Sequence, residues 1–345
     1  LALLLFGLLL GCASKSIRSD SDFFHTVSID TLLKERIHCR AIAVTSERVW
    51  YAGDQGKVGS IGITGNEKQQ HIVDLPADAA EFRSIAKTSK AVFALNSGNP
   101  ARLYRLSNDL RQKELVYEEK HEKVFYDSMQ FWNDDEGMAI GDPTEDCLSI
   151  IRTHDGGKNW KKILCVNLPK VVTGEAAFAA SNTNLILKGN HAWVVSGGKQ
   201  SRVFHSSDKG HHWEVYETPI VQGSEMTGIY TADFYDARIG FVAGGNYDKQ
   251  SNNFQNKAIT YDGGKSWKLI GENQGFGYAS CIQFVPNSKG AELVCIAGDG
   301  LYYSHDFGAS WKMLFATKEL YTLRFLDSNT AFAAGRNGVF KIEFQ

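Results

Sequence analysis

Five side chains able to grip or process a ligand stand at comparable places along this 345-residue sequence. Arg40, Arg83, Asp127 and Glu175 each open a segment of strand character, and Asp142 follows the glycine that closes the third of them. Brought to one funnel, charged groups of both signs would line a polar pocket for a small ligand, a glycan or a peptide end. Left apart, they would form a solvated rim with internal salt bridges. A pair of carboxyl groups roughly 5 to 10 Å apart can flank a glycosidic bond, so Asp127, Glu175 and Asp142 also make a glycosidase constellation, with Tyr230 or Tyr278 as an alternative phenol nucleophile. Asp54, Arg102, Lys199, Asp299 and Arg336, in loops between second and third strands, would join the same rim, as would Thr227, Tyr278 and Tyr321 at strand starts.

Other reactive signatures are missing. The sequence has no Gly-x-Ser-x-Gly elbow, no phosphate-binding Gly-rich loop and no His-Glu-x-x-His pair. Asp142 to Asp146 lacks the alternating spacing of a calcium loop. The neighbours His211 and His212 would diverge on a strand or turn, and read as surface. Neither a metal site nor a cofactor site is expected. The 37 basic and 39 acidic residues, without a long run of either sign, leave no electrostatic footprint for nucleic acid.

Elements that could position these groups are short and many. Hydrophobic residues make up 43% and charged residues 22%, and 33 Gly against 6 Pro, with 20 Phe and 13 Tyr, point to an all-β chain rich in turns. A unit of apolar strand, polar turn and apolar strand ending in Gly recurs at Arg40–Gly53, Arg83–Gly98, Asp127–Gly141, Ala179–Gly197, Gly228–Gly244, Ala279–Gly298 and Tyr321–Gly335. Seven such units at about 46 residues each fit four-stranded antiparallel blades of a seven-bladed β-propeller. Because Val339–Phe344 leaves the last unit one strand short, Phe23–Ile29 is expected to complete it and close the ring. The longest insertion, Gly244–Lys257, is rich in Asn and Gln and suits either solvent exposure or recognition.

Four turns share one pattern: Thr153-His-Asp155-Gly-Gly157-Lys-Asn-Trp160, Ser206-Ser-Asp208-Lys-Gly210-His-His-Trp213, Thr260-Tyr-Asp262-Gly-Gly264-Lys-Ser-Trp267 and Ser304-His-Asp306-Phe-Gly308-Ala-Ser-Trp311, with aspartates 53, 54 and 44 residues apart. The carboxylate can accept backbone N–H groups, the Gly can take positive φ, the hydroxyl can secure the turn, and the Trp can open the next strand. These aspartates therefore read as folding devices, not catalysts.

The chain also carries export signals. Leu1–Leu10 is apolar but too short to span a bilayer, and Leu9-Leu10-Gly11-Cys12 resembles a bacterial lipobox with Cys12 as the lipidated residue. Residues 1–12 then form a lipoprotein signal peptide, 13–22 a tether and 23–345 the propeller. An exported chain facing the periplasm or cell surface, with a lipid anchor as its only membrane attachment, is permitted disulfides. Cys147 with Cys165, and Cys281 with Cys295, are spaced to face each other across hairpins; otherwise all four are small core hydrophobes.

The four turns resemble the Asp-box (BNR) repeat, which in its family sits between the third and fourth strands of propeller blades. With export and the seven-unit count, residues 36–345 resemble the photosystem II stability/assembly factor family and its bacterial relatives. That resemblance implies a non-catalytic envelope platform binding protein or glycan, although photosynthetic members use a basic surface and this chain is near neutral. Sialidases, another Asp-box group, open with Arg-Ile-Pro, whereas this chain has Arg36-Ile37-His38. A glycoside hydrolase remains the alternative.

Overall fold

The computed structural model describes residues 23–72 and 81–345; the proposed leader, Cys12 and the tether lie outside them. Strands with apolar faces stack as antiparallel sheets in a ring, and the only helices among the described residues are short 3-10 turns. The described strands form six sheets. Four have four strands, as in Phe82–Lys87, Val92–Asn96, Ala101–Leu106 and Lys113–Glu119, and two have six.

This corrects the expectation of seven four-stranded blades. The first and last units, counted separately from Arg40–Gly53 and Tyr321–Gly335, share one sheet through the long strands Val27–Val44 and Thr330–Phe344. Their pairing runs from Val27 opposite Phe344 to His38 opposite Arg336, with two register shifts that let the ribbon bend. Hydrogen bonds continue where the repeat count placed a boundary. In the other six-stranded sheet, Glu175–Ala176 and Gly197–Gly198 add to the inner edge of Thr227–Phe234.

All four Asp-box turns share the hydroxyl-to-carboxylate bond, a backbone N–H on the carboxylate and the indole-to-Gly bond; the fourth differs in that the Ala309 N–H goes to the Asp306 main-chain carbonyl. In the second, the Ser206 hydroxyl donates to Asp208 Oδ1 at 2.8 Å, the same oxygen accepts the His211 and His212 N–H groups at 3.0 and 2.9 Å, and the Trp213 indole donates to the Gly210 carbonyl at 3.1 Å. Gly157 and Gly308 have φ of 73° and 88°, and a Cβ on either would strike Phe93 or Phe241 of the preceding sheet. Each box therefore closes a turn and also docks one sheet on the next; Trp160, for example, packs edge-on against Phe93 and Phe131.

These turns should register in acid. Burial pushes the Asp155 and Asp262 carboxyls up, but hydrogen bonds from Asn159 and Thr153, and from Ser266 and Thr260, outweigh it and hold both at about 2. A depressed folded value stabilises above the ordinary carboxylate range near about 4 and loses that contribution as pH falls toward about 2. Urea midpoints should drop across this interval, and Asp155→Asn with Asp262→Asn should flatten the drop; an unchanged slope would contradict the role given to these turns.

Cys147 and Cys165 form a disulfide, their Cα atoms 5.5 Å apart. Cys281 and Cys295 do not, which corrects the second candidate pair. A register shift beside Cys281 sets it opposite Ile296 and places Cys295 opposite Ile282. The two thiols consequently face different inter-sheet cores. Cys39 is also free and buried.

Candidate functional site at the ring mouth

One irregularity repeats around the ring. On six inner strands, one extra residue bulges out of the ladder with the next strand: Arg40, Arg83, Asp127, Tyr230, Ser280 and Tyr321. A bulge breaks the alternation of the strand and re-aims its side chain. All six line one of two cavities at the same mouth. The bulge also gives the recurrent terminal glycine its reason: a Cβ at Gly141, Gly244 or Gly335 would collide with the carbonyl of Phe125, Gly228 or Glu319, two residues before each bulged position. Asp-box turns follow the third strands, which run parallel to the first, so boxes and mouth occupy opposite rims.

The fourth unit has no bulged inner strand of this kind. After Ala176 its chain leaves the ladder, and residues 179–184 cross the axis as a plug. Ala179 and Ala180 carbonyls accept from Arg83 and Arg40 at 2.9 and 3.3 Å. The Asn182 amide accepts from Met129 N at 2.9 Å and donates to the Ile85 carbonyl at 3.0 Å, while Thr183 bonds Thr231 at 2.7 Å and the Ser181 carbonyl accepts from Thr322 at 2.9 Å. Every neighbouring unit thus contributes to a polar floor beneath the mouth.

The larger mouth cavity, about 310 Å³, is lined by Arg40, Arg83, Asp127, Asp142 and an aromatic wall that includes Phe178, Tyr230, Tyr247 and Tyr278. Phe178 stacks on Tyr230 at 4.1 Å, and Tyr278 meets Tyr230 edge-on at 4.8 Å. The adjoining cavity, about 290 Å³, shares Arg40, Tyr247 and Tyr278 and adds His38, Lys318, Tyr321 and Arg336. Arg40 lies over the Tyr321 ring at 4.2 Å, a cation–π contact that fixes the guanidinium between the two spaces. Arg83 is steadied by Glu81 at 2.8 Å.

Asp127 is 0% exposed and lines the larger cavity. Burial first, then the charge of Asp142, push its carboxyl well above the usual range against the pull of Arg83. Burial likewise pushes Asp142 up to about 7, although its Oδ1 accepts the Ala177 N–H at 2.9 Å. Both carboxyl groups thus favour their protonated forms more than an exposed carboxyl does.

Glu175 departs from the expected set. It is 2% exposed, takes the Arg202 guanidinium on both oxygens at 2.9 and 2.5 Å, and accepts Ser196 Oγ at 2.6 Å. This saturated carboxylate braces the base of the plug and lies outside the Arg40–Arg83 cavity. Among the loop residues, Asp142 and Arg336 reach the mouth cavities, whereas Asp54 caps His38 N, Arg102 pairs with Glu118, Lys199 bonds Gly223 and Asp299 bonds Tyr302. Thr227 secures its own turn at the Ser224 carbonyl. The Asn-rich insertion is ordered by Asn246, whose side chain caps the short turn Tyr247–Lys249, and it delivers Tyr247 and Gln250 to the mouth. Among the described residues no group of three or more His, Cys, Asp or Glu is placed to hold a metal ion.

Sheets in a ring, with box turns on one rim and a walled mouth on the other, define a β-propeller. Residues 302–313 match the BNR/Asp-box repeat. The fold is similar to that of YCF48 bound to a D1 peptide, at 13% identity and TM-score 0.64 over 93% of this chain and 97% of that one. It is also similar to YCF48 from Cyanidioschyzon merolae, at 13% and 0.63 over 92% and 98%. A GH74 xyloglucanase from Xanthomonas campestris is similar at 13% and 0.62, covering 91% of this chain but 53% of the enzyme. At such identities the likeness is one of fold. No curated protein matches the chain.

Proposed function

We propose that the chain is a non-catalytic binding platform of the bacterial envelope, anchored through Cys12 and holding a segment of a partner protein at the ring mouth. The observation that carries this reading is the convergence of Arg40, Arg83, Asp127 and Asp142 with an aromatic wall in one open cavity above a closed floor. Arginine forks and tyrosine faces are the groups that anchor protein interfaces. YCF48, similar in fold, is known in complex with a D1 peptide. The Cys147–Cys165 bridge supports an oxidising compartment, and a glycan is the other ligand class the mouth chemistry permits.

Crosslinking and pull-down from membranes tests the platform. Wild-type protein should recover a stable partner, and Arg40→Glu with Arg83→Glu should lose at least about a hundredfold in affinity, since each reversal replaces an attraction with a repulsion. Equal recovery would count against it. A second reading, glycoside hydrolysis, has one observation in its favour: two adjacent carboxyl groups with raised proton affinity in a cavity. Turnover of aryl glycosides that disappears with Asp127→Asn would select it instead.

A further inference from the structure

Asp127 is fully buried, yet neither of its carboxyl oxygens has a hydrogen-bond partner among the described residues. Buried carboxyls are ordinarily satisfied by the fold. This one lies in the wall of the mouth cavity, beside a second carboxyl that is only partly satisfied. The nearby guanidinium of Arg83 lies against Glu81 and donates to the Ala179 carbonyl, and makes no hydrogen bond to Asp127. The site therefore has carboxyl acceptors to spare beside a π-rich wall.

We propose that Asp127 and Asp142 form a receptor for a primary ammonium group, the free N-terminus of a peptide segment, enclosed by Phe178, Tyr230 and Tyr278. This rests on the platform reading and names what part of the partner enters. Three N–H donors answer the unpartnered carboxyl oxygens once the ammonium packs against them, and the aromatic faces attract a cation. An N-terminus also brings its first carbonyl beside the ammonium, giving Arg40 and Arg83 acceptors that a lysine tip would not supply. A hard divalent ion fits less well: calcium asks for six or more oxygen ligands, and the two carboxyl groups supply at most four.

Proton traffic follows. Empty, the pair retains a proton; with the ammonium present both groups are carboxylates and the proton goes to solvent. Arg40, Arg83 and the phenols of Tyr230, Tyr247 and Tyr278 face the pair from the mouth, and Lys123, Glu145, Asp146 and the Arg202-bound Glu175 line the space behind Asp142. Affinity should rise as pH climbs through the Asp142 ionisation at about 7. It should fall once a terminal amine deprotonates near about 8.

Two pools of one randomised peptide sequence, one with free and one with acetylated N-termini, are to be captured on the full-length protein. Enrichment is expected from the free pool, and acetylating the selected peptides should weaken binding about tenfold or more. Asp127→Asn, which keeps the shape, and Asp142→Asn, as a second variant should the first misfold, should each give a similar loss. Each should also abolish the proton release seen by calorimetry in buffers of different ionisation heat. If acetylated peptides bind equally well, or Asp127→Asn retains affinity and proton release, the ammonium receptor is wrong while the platform stands. Capture of neither pool removes both. Calcium binding that depends on Asp127, without any amine preference, would overturn the proposal in favour of a metal site.

Discussion

Deleting residues 23–34 from the chain is expected to abolish its cooperative unfolding transition. This stretch contributes Phe24 and Leu33, both buried, and the outer ladder along Thr330–Phe344. Phe24 packs against Tyr303 and Phe344 at 4.9 Å, so its loss also opens the core beside the preceding sheet. Burial of those two side chains represents about 4 kcal/mol, a large share of a stability of about 5–15 kcal/mol. The strand left behind would present unpaired N–H and C=O groups, an edge that recruits other chains. Thermal denaturation followed by light scattering should show aggregation without a native-like transition. A deletion variant melting with the parent would mean that the ring is held without this ribbon.

A comparable loss is expected from Asn182→Leu in the axial plug. Asn182 is buried, and its amide serves Met129 N, Ser128 Oγ and the Ile85 carbonyl at once. Leucine keeps the branched shape but strands two buried backbone groups at about 1–3 kcal/mol each. It must also adopt the φ of 59° that asparagine tolerates, a further cost of about 1 kcal/mol. Asn182→Gly relieves the backbone term alone, so the two variants separate hydrogen bonding from strain in urea titrations. The expected order of stability is wild type, Gly, Leu; a leucine variant as stable as wild type would show that the plug bonds are dispensable. Because the plug carries the carbonyls that seat Arg40 and Arg83, both variants should also loosen the mouth.

Much of this architecture is legible in sequence because some residues have a single mechanical use. Asp155, Gly157 and Trp160 recur with fixed spacing because one turn needs an acceptor, a positive φ and an indole together. Arg40, Arg83 and Asp127 are found because each heads one of the recurring strand-turn-strand units. What that recurrence does not reveal is the bulge itself, which takes one residue out of alternation and turns it toward the mouth. Tyr230 and Ser280 occupy the same position without charge to mark them.

Glu175 misleads for a different reason. Its strand start is genuine, but two residues later the chain abandons the ladder for the axis, leaving the carboxylate to Arg202. The run Ala176-Ala-Phe-Ala-Ala-Ser-Asn-Thr-Asn184, small and polar where other inner strands are branched and apolar, is the signal that marks a plug. The blade count fails through continuity: Val27–Val44 and Thr330–Phe344 are long enough to carry hydrogen bonds across the boundary between two units. Sequence periodicity counts modules, whereas pairing decides which modules become one sheet.

The central claim is that the partner engages the mouth of bulged residues and not the rim of Asp-box turns. A photo-crosslinking amino acid at exposed Lys318 beside the mouth, compared with one at exposed Lys265 in the third box, measures this directly on membranes. A discrete crosslinked species from position 318 and none from 265 is the predicted result. Crosslinking from 265 with a silent 318 would place the binding surface on the opposite side of the ring and contradict the account.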